Sequence, residues 1–170
     1  MHALVEKTLT MPLAAKILVA ANVSALFFAF VMQFGFDLHP CVLCLWQRVP
    51  YVVAGILALA AWLLGRRAPL LAPLLLAFCA VAYLAGMGLA IFHTGVELHW
   101  WLGTSGCAVE PLTGASPDDL REALLHTVMP RCDQIAWTIF GLSMTNLNVA
   151  LSLALAFFAA AAAAKALYDK

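Results

Sequence analysis

Cys41-Val42-Leu43-Cys44 places two thiols at the spacing used for disulfide exchange or, with further ligands, for metal binding. The pair stands where a short loop becomes a long apolar run. A helix N-terminus carries partial positive charge that stabilises a thiolate, and Cys44 is the better placed of the two to profit from it. Arg48 follows four residues later, so on a helix it shares a face with Cys44 and brings a permanent cation within reach of the sulfur. An arginine here could simply snorkel to the headgroups. Its position one turn after a thiol, on a side otherwise poor in arginine, favours a functional role. Trp46 and Gln47 carry less information, Trp46 reading as an interface anchor.

Cys107 and Cys132 are separated by a long segment. Alone they would read as a disulfide pinning a loop. Beside a Cys-x-x-Cys on the same side of a membrane, they suggest two disulfides that exchange electrons. Zinc would ask for four thiolates, usually from two closely spaced pairs, so no metal is expected. Cys79 lies inside an apolar run and reads as a small packing residue. Electron exchange needs a sink, yet the chain has no glycine-rich nucleotide fingerprint and no Cys-x-x-Cys-His haem motif. A lipid-soluble acceptor such as a membrane quinone would need neither.

The elements that position these residues follow from composition. Of 170 residues, 65% are hydrophobic and 11% charged, and the mean hydropathy is +0.96. A soluble domain would have about 45–50% apolar and about 25% charged residues. Nine basic residues balance nine acidic ones, leaving no electrostatic footprint for nucleic acid. Four apolar runs are long enough to cross a bilayer, at about 13–36, 45–64, 70–92 and 144–164. The expected fold is an all-α membrane protein, a four-transmembrane-helix bundle forming one domain over 1–170. The first run is long enough to span and reads as a helix of the bundle, with no cleavable signal peptide visible.

Lys7, Lys16, Arg66, Arg67, Lys165 and Lys170 fall on one side of this bundle. The positive-inside rule then places both termini in the cytoplasm and the loops 37–44 and 93–143 outside, with Cys41, Cys44, Cys107 and Cys132. In a bacterium that side is the oxidising periplasm. Within the long loop, Ser116-Pro117-Asp118-Asp119 is a helix start, followed by Leu120, Leu124 and Val128 at helical spacing. A short amphipathic helix on the membrane surface is expected there. His99-Trp100-Trp101 reads as an aromatic anchor at headgroup level.

These features resemble the DsbB family of bacterial inner-membrane disulfide-bond-formation proteins. The resemblance is carried by Pro40-Cys41-Val42-Leu43-Cys44 with Gln47-Arg48, and by Cys132 with Trp137 and Phe140-Gly141-Leu142-Ser143-Met144. Phe92-His93-Thr94 adds a weaker match, and with the four-span topology the likeness covers nearly the whole chain.

The resemblance implies an enzyme that reoxidises a periplasmic thioredoxin-fold oxidase, DsbA, and passes the electrons to ubiquinone, menaquinone being the other candidate. Cys107 would form the mixed disulfide with the partner, and Cys132 would be its disulfide mate. Cys41, paired with Cys44, would receive the electrons, and Cys44 would react with the quinone. Arg48 would stabilise the thiolate–quinone adduct, and His93 would lie near the quinone. Other readings are a vitamin-K-epoxide-reductase-like protein, whose active pair would be expected later in the bundle, a family paralogue with a dedicated partner, and a scaffold whose disulfides only brace its loops.

Overall fold

A computed structural model describes residues 11–65, 67, 68, 70–104, 107 and 131–168. The expected surface helix after Ser116 lies outside the described residues. Helix α1 is Met11–Gly35, α2 Val42–Trp46, α3 Arg48–Leu64 and α4 Leu71–Glu97. Strands β1 (Thr138–Ile139) and β2 (Leu142–Ser143) precede α5, Met144–Tyr168. With α2 and α3 forming one span, the four spans have 25, 23, 27 and 25 residues. At about 1.5 Å rise per residue each can cross about 30 Å of hydrocarbon.

The helices are apolar on every side, as helices bounded by lipid on one face and protein on the other must be. Phe27, Phe34, Ile56, Phe78 and Phe157 point outward. The interior is built from small residues: Ala14, Ala15, Ala54, Ala58, Ala61, Ala72, Ala159 and Ala162 are fully buried. Lipid tails are as apolar as leucine, so burial alone gives helices little reason to associate. Small side chains let the backbones approach closely and gain dispersion contacts instead. One such approach is at Gly86 of α4, where a Cβ would stand 3.0 Å from the Pro50 ring of α3.

α4 packs against α3 and α5, and α1 packs mainly against α3. Asn22 joins α1 to α4 by donating to the Tyr83 hydroxyl at 2.6 Å. At the other end of α1, Lys16 lies over the Trp62 ring, 5.3 Å from its centre, which accommodates a charge within the span.

Three features depart from the sequence expectation. First, the second span begins at Val42 and breaks at Gln47. Pro50 has no N–H to offer the Trp46 carbonyl four residues back, so the helix is interrupted there and restarts at Arg48. Second, α4 continues to Glu97, so His93 lies within a helix and the long loop begins after it. Third, a β-hairpin leads into α5, pairing Thr138 with Ser143 and Ile139 with Leu142. Its two-residue turn has positive φ at Phe140 (50°) and Gly141 (80°), the geometry that matches strand twist.

Candidate active site

Residues at one end of the bundle form a second buried cluster, distinct from the alanine core: Cys41, Leu43, Val96, Cys107 and Cys132. Three elements bring them together. The chain leaves α1 through Asp37, whose φ is 56°, and Leu38 N–H bonds back to the Met32 carbonyl at 3.2 Å. Cys41 thereby becomes the N-cap of α2.

The Cys41 sulfur accepts from the Cys44 backbone N–H at 3.4 Å, and the Cys44 sulfur lies 3.3 Å from it. His93 Nε2 stands 3.6 Å from it. The Cys44 thiol makes the largest contribution to holding the Cys41 thiol far below its ordinary 9.0, at about 4, with His93 helping and burial opposing. Sequence position favoured Cys44 as the stabilised thiolate, but the geometry selects Cys41. As N-cap its side chain is the acceptor, whereas Cys44, already inside the first turn, supplies its backbone N–H. The two are thiols here, so the disulfide expected between them is open.

Cys107 and Cys132 are joined by a disulfide. Cys132 is fully buried, and its sulfur, the Cys41 sulfur and a ring nitrogen of His93 all lie within 4.8 Å of one another. Three donors at this range could also suit a metal, but the Cys132 sulfur is tied up in the disulfide and has no thiolate charge to give. Cys107 faces a groove of about 630 Å³ lined by Trp101, Leu102, Thr104, Arg131 and Asp133. Trp101, read as a headgroup anchor, stacks on Phe92 at 5.9 Å and donates its indole N–H to the Phe92 carbonyl at 2.9 Å. It lies so close over Gly95 that a Cβ there would be 2.0 Å from the indole.

Cys44 faces a separate cavity of about 240 Å³, set where α1 and α5 part and walled by Ala25, Leu26, Ala29 and Met32. Its polar lining includes Gln33, Gln47, Arg48 and Asn148, with His39, Tyr51 and Thr145. Arg48 donates from Nη1 to Gln33 Oε1 at 2.7 Å, and its guanidinium lies 5.1 Å from the Phe30 ring centre. His93, expected beside a quinone, is absent from this lining. Gln47 intervenes, its Nε2 at 2.7 Å from His93 Nδ1, so the imidazole serves Cys41 instead. Cys79 is buried in the core and donates to the Ala54 carbonyl at 3.4 Å, away from the other sulfurs.

Sequence reasoning passed over Gln47, Asn148 and Glu97. Asn148 Nδ2 donates to Gln47 Oε1 at 2.5 Å, and Thr145 donates to the buried Glu97 carboxylate at 2.5 Å. Polar residues in an otherwise apolar span are a functional signal in themselves. Applied to these three, that rule would have found them.

Four spans holding a dithiol next to a loop disulfide define a class: multi-pass membrane proteins that handle thiols and disulfides. Comparison with known proteins narrows the class. The family model described as disulfide bond formation protein DsbB matches residues 12–162. The disulfide bond formation protein B of Acinetobacter baylyi is 34% identical over 138 residues, covering 75% of this chain and 76% of that protein. Its counterpart in Methylobacillus flagellatus is 29% identical over 144 residues, covering 77% and 80%. An uncharacterized protein of Rickettsia prowazekii is 24% identical over 144 residues, covering 84% and 81%. No solved structure matches. The chain belongs to the DsbB family, and its activity is that of a membrane disulfide oxidoreductase.

Proposed function

We propose that the protein oxidises a periplasmic thioredoxin-fold thiol oxidase of the DsbA kind and delivers the electrons to ubiquinone in the bacterial inner membrane. The observation that carries this reading is the approach of the Cys132 and Cys41 sulfurs to within 4.8 Å, which makes the two thiol pairs neighbours.

In the proposed sequence a partner thiolate attacks Cys107, forming a mixed disulfide and releasing Cys132 as a thiolate. Cys132 attacks Cys41 of the Cys41–Cys44 disulfide, forming Cys41–Cys132 and releasing the Cys44 thiolate. The partner's second thiolate resolves its mixed disulfide and leaves oxidised, with Cys107 freed as a thiolate. Cys107 then attacks Cys132, restoring the loop disulfide and expelling Cys41. Two electrons now rest on the Cys41–Cys44 dithiol, the bonding pattern of the present structure. The low pKa of Cys41 makes it the better leaving group in that last exchange.

The cavity beside Cys44 suits a flat ring with carbonyl acceptors, having apolar walls and the Arg48 guanidinium and Gln47 amide for polar contacts. A quinone bound there would accept two electrons and two protons. Arg48, held by Gln33, keeps a positive charge over the site, and Cys44 contributes its sulfur to the wall. Potentials support such an acceptor: each 30 mV is worth about 1.4 kcal/mol for a two-electron couple, so a strongly oxidising partner needs a still more oxidising sink. Lys16, Arg67 and Lys165 lie toward the end of the bundle opposite the cysteines, which supports cytoplasmic termini and a periplasmic site.

The test is quinone absorbance in detergent after adding a reduced thioredoxin-fold oxidase, with Cys44→Ser as control. Stoichiometric loss of the quinone band that vanishes in the variant is expected. An unchanged band in an active, quinone-loaded sample would overturn the general reading in favour of a dedicated partner or of loop-bracing disulfides.

A further inference from the structure

His93 is 2% exposed and reaches Cys41 through Nε2 at 3.6 Å, but an imidazole can donate from that nitrogen only if the proton sits there. What settles the tautomer is on the opposite side of the ring. Gln47 presents its Nε2 amide to His93 Nδ1 at 2.7 Å, so Nδ1 must accept and Nε2 must carry the hydrogen. Gln47 is itself oriented, because its Oε1 accepts from Asn148 Nδ2 at 2.5 Å. Asn148 is oriented in turn: its Oδ1 accepts from the Tyr51 hydroxyl at 2.5 Å and from Ser152 at 3.4 Å. Each amide has a donor end and an acceptor end, so the chain Tyr51, Asn148, Gln47, His93, Cys41 has one direction along its whole length.

We propose that Gln47 and Asn148 are positioning residues that lock His93 as the neutral Nε2–H tautomer, so that it donates a hydrogen bond to the Cys41 thiolate. His93 is thereby a fixed donor to the Cys41 sulfur. Gln47 and Asn148 line the Cys44 cavity as well, so whatever occupies it touches the residues that set the thiolate. The other titratable groups near Cys41 are accounted for: the Cys44 sulfur is 3.3 Å from it, Glu97 is held by Thr145, and Arg48 is turned to Gln33.

This deepens the relay reading and concerns the same thiolate, yet its test needs neither partner nor quinone, so the two can fail separately. In a Cys44→Ser, Cys79→Ala background Cys41 is left as the single free thiol, and its ionisation can be followed by thiolate absorbance against pH. Asn148→Leu and Gln47→Met should each move the midpoint up by about one unit, about tenfold less thiolate at any pH well below both midpoints. In a His93→Ala background the same two substitutions should add nothing, because their effect passes through the ring. A shift that persists without His93, or no shift with it, overturns the proposal. Nitrogen-15 shifts of the histidines give a second readout that needs no substitution along the chain beyond His93→Ala for assignment. The resonance lost in that variant should have Nε2–H character, and Nδ1–H character would overturn the proposal just as firmly.

Discussion

The sulfur of Cys132, at the end of the long loop, lies within 4.8 Å of the sulfur of Cys41 at the start of the second span. Exchange between two sulfurs requires such an approach, and side-chain rotation alone can close much of the remaining gap. In a Cys44→Ser, Cys107→Ser variant, Cys41 and Cys132 lose their usual mates. Mild oxidation should join them in nearly quantitative yield, read by mass spectrometry of the cross-linked peptides. Both thiols remaining free to alkylation would mean that they do not meet.

Arg48 stands on the same cavity as Cys44 and is anchored by Gln33. Removing a positioned charge of this kind typically costs about a hundredfold in rate. Arg48→Ala should slow quinone reduction by about that factor and leave mixed-disulfide formation at Cys107 almost untouched, with Gln33→Ala showing a weaker form of the same split. Equal loss of both steps would make Arg48 a structural residue.

Cys41 is an acid whose pKa the fold lowers from 9.0 to about 4, so the folded state favours its charged form. The stability this contributes is full above the unfolded value and disappears as pH falls through the folded one. Its alkylation by iodoacetamide should persist well below the ordinary thiol range, at pH values where an unperturbed cysteine is silent, because the thiolate is the nucleophile. Loss of reactivity at near-neutral pH would contradict the geometry around the sulfur.

Gly95 has no room for a side chain beneath Trp101. Gly95→Ala should displace the indole, red-shift its fluorescence and lower stability in detergent by about 1–3 kcal/mol, the range for overpacking. Adding Trp101→Ala should recover part of that stability. If the double variant is no more stable than Gly95→Ala alone, the contact is not the cause.

Cys79 is fully buried, and its sulfur bonds to the Ala54 carbonyl. Cys79→Ala should leave turnover unchanged and cost about 1 kcal/mol for the lost hydrogen bond. A large drop in turnover would bring this sulfur into the relay.

The spans were legible because a helix in lipid must satisfy its own backbone and present apolar side chains for its whole length, a one-dimensional property. The break at Gln47 was not, although Pro50 marks it in hindsight, since proline is also tolerated in the first turn of a helix. The end of α4 was missed because His93, Thr94 and Glu97 look like the start of a wet loop. Partners on other elements keep them helical and buried: Gln47 for His93, Asn146 for Thr94, Thr145 for Glu97.

By itself the sequence determined a four-span α-helical membrane protein with Cys41, Cys44, Cys107, Cys132 and Arg48 toward one end, because length, apolarity and charge are sums over local residues. Only the tertiary structure decided which thiol is the stabilised one, that His93 serves Cys41 and not the cavity, and that Cys132 reaches Cys41. Those outcomes depend on distances between residues far apart in the chain. The packing of α4 and of Cys107 and Cys132 beside the N-terminus of α2 sets them, and no local spacing records that packing.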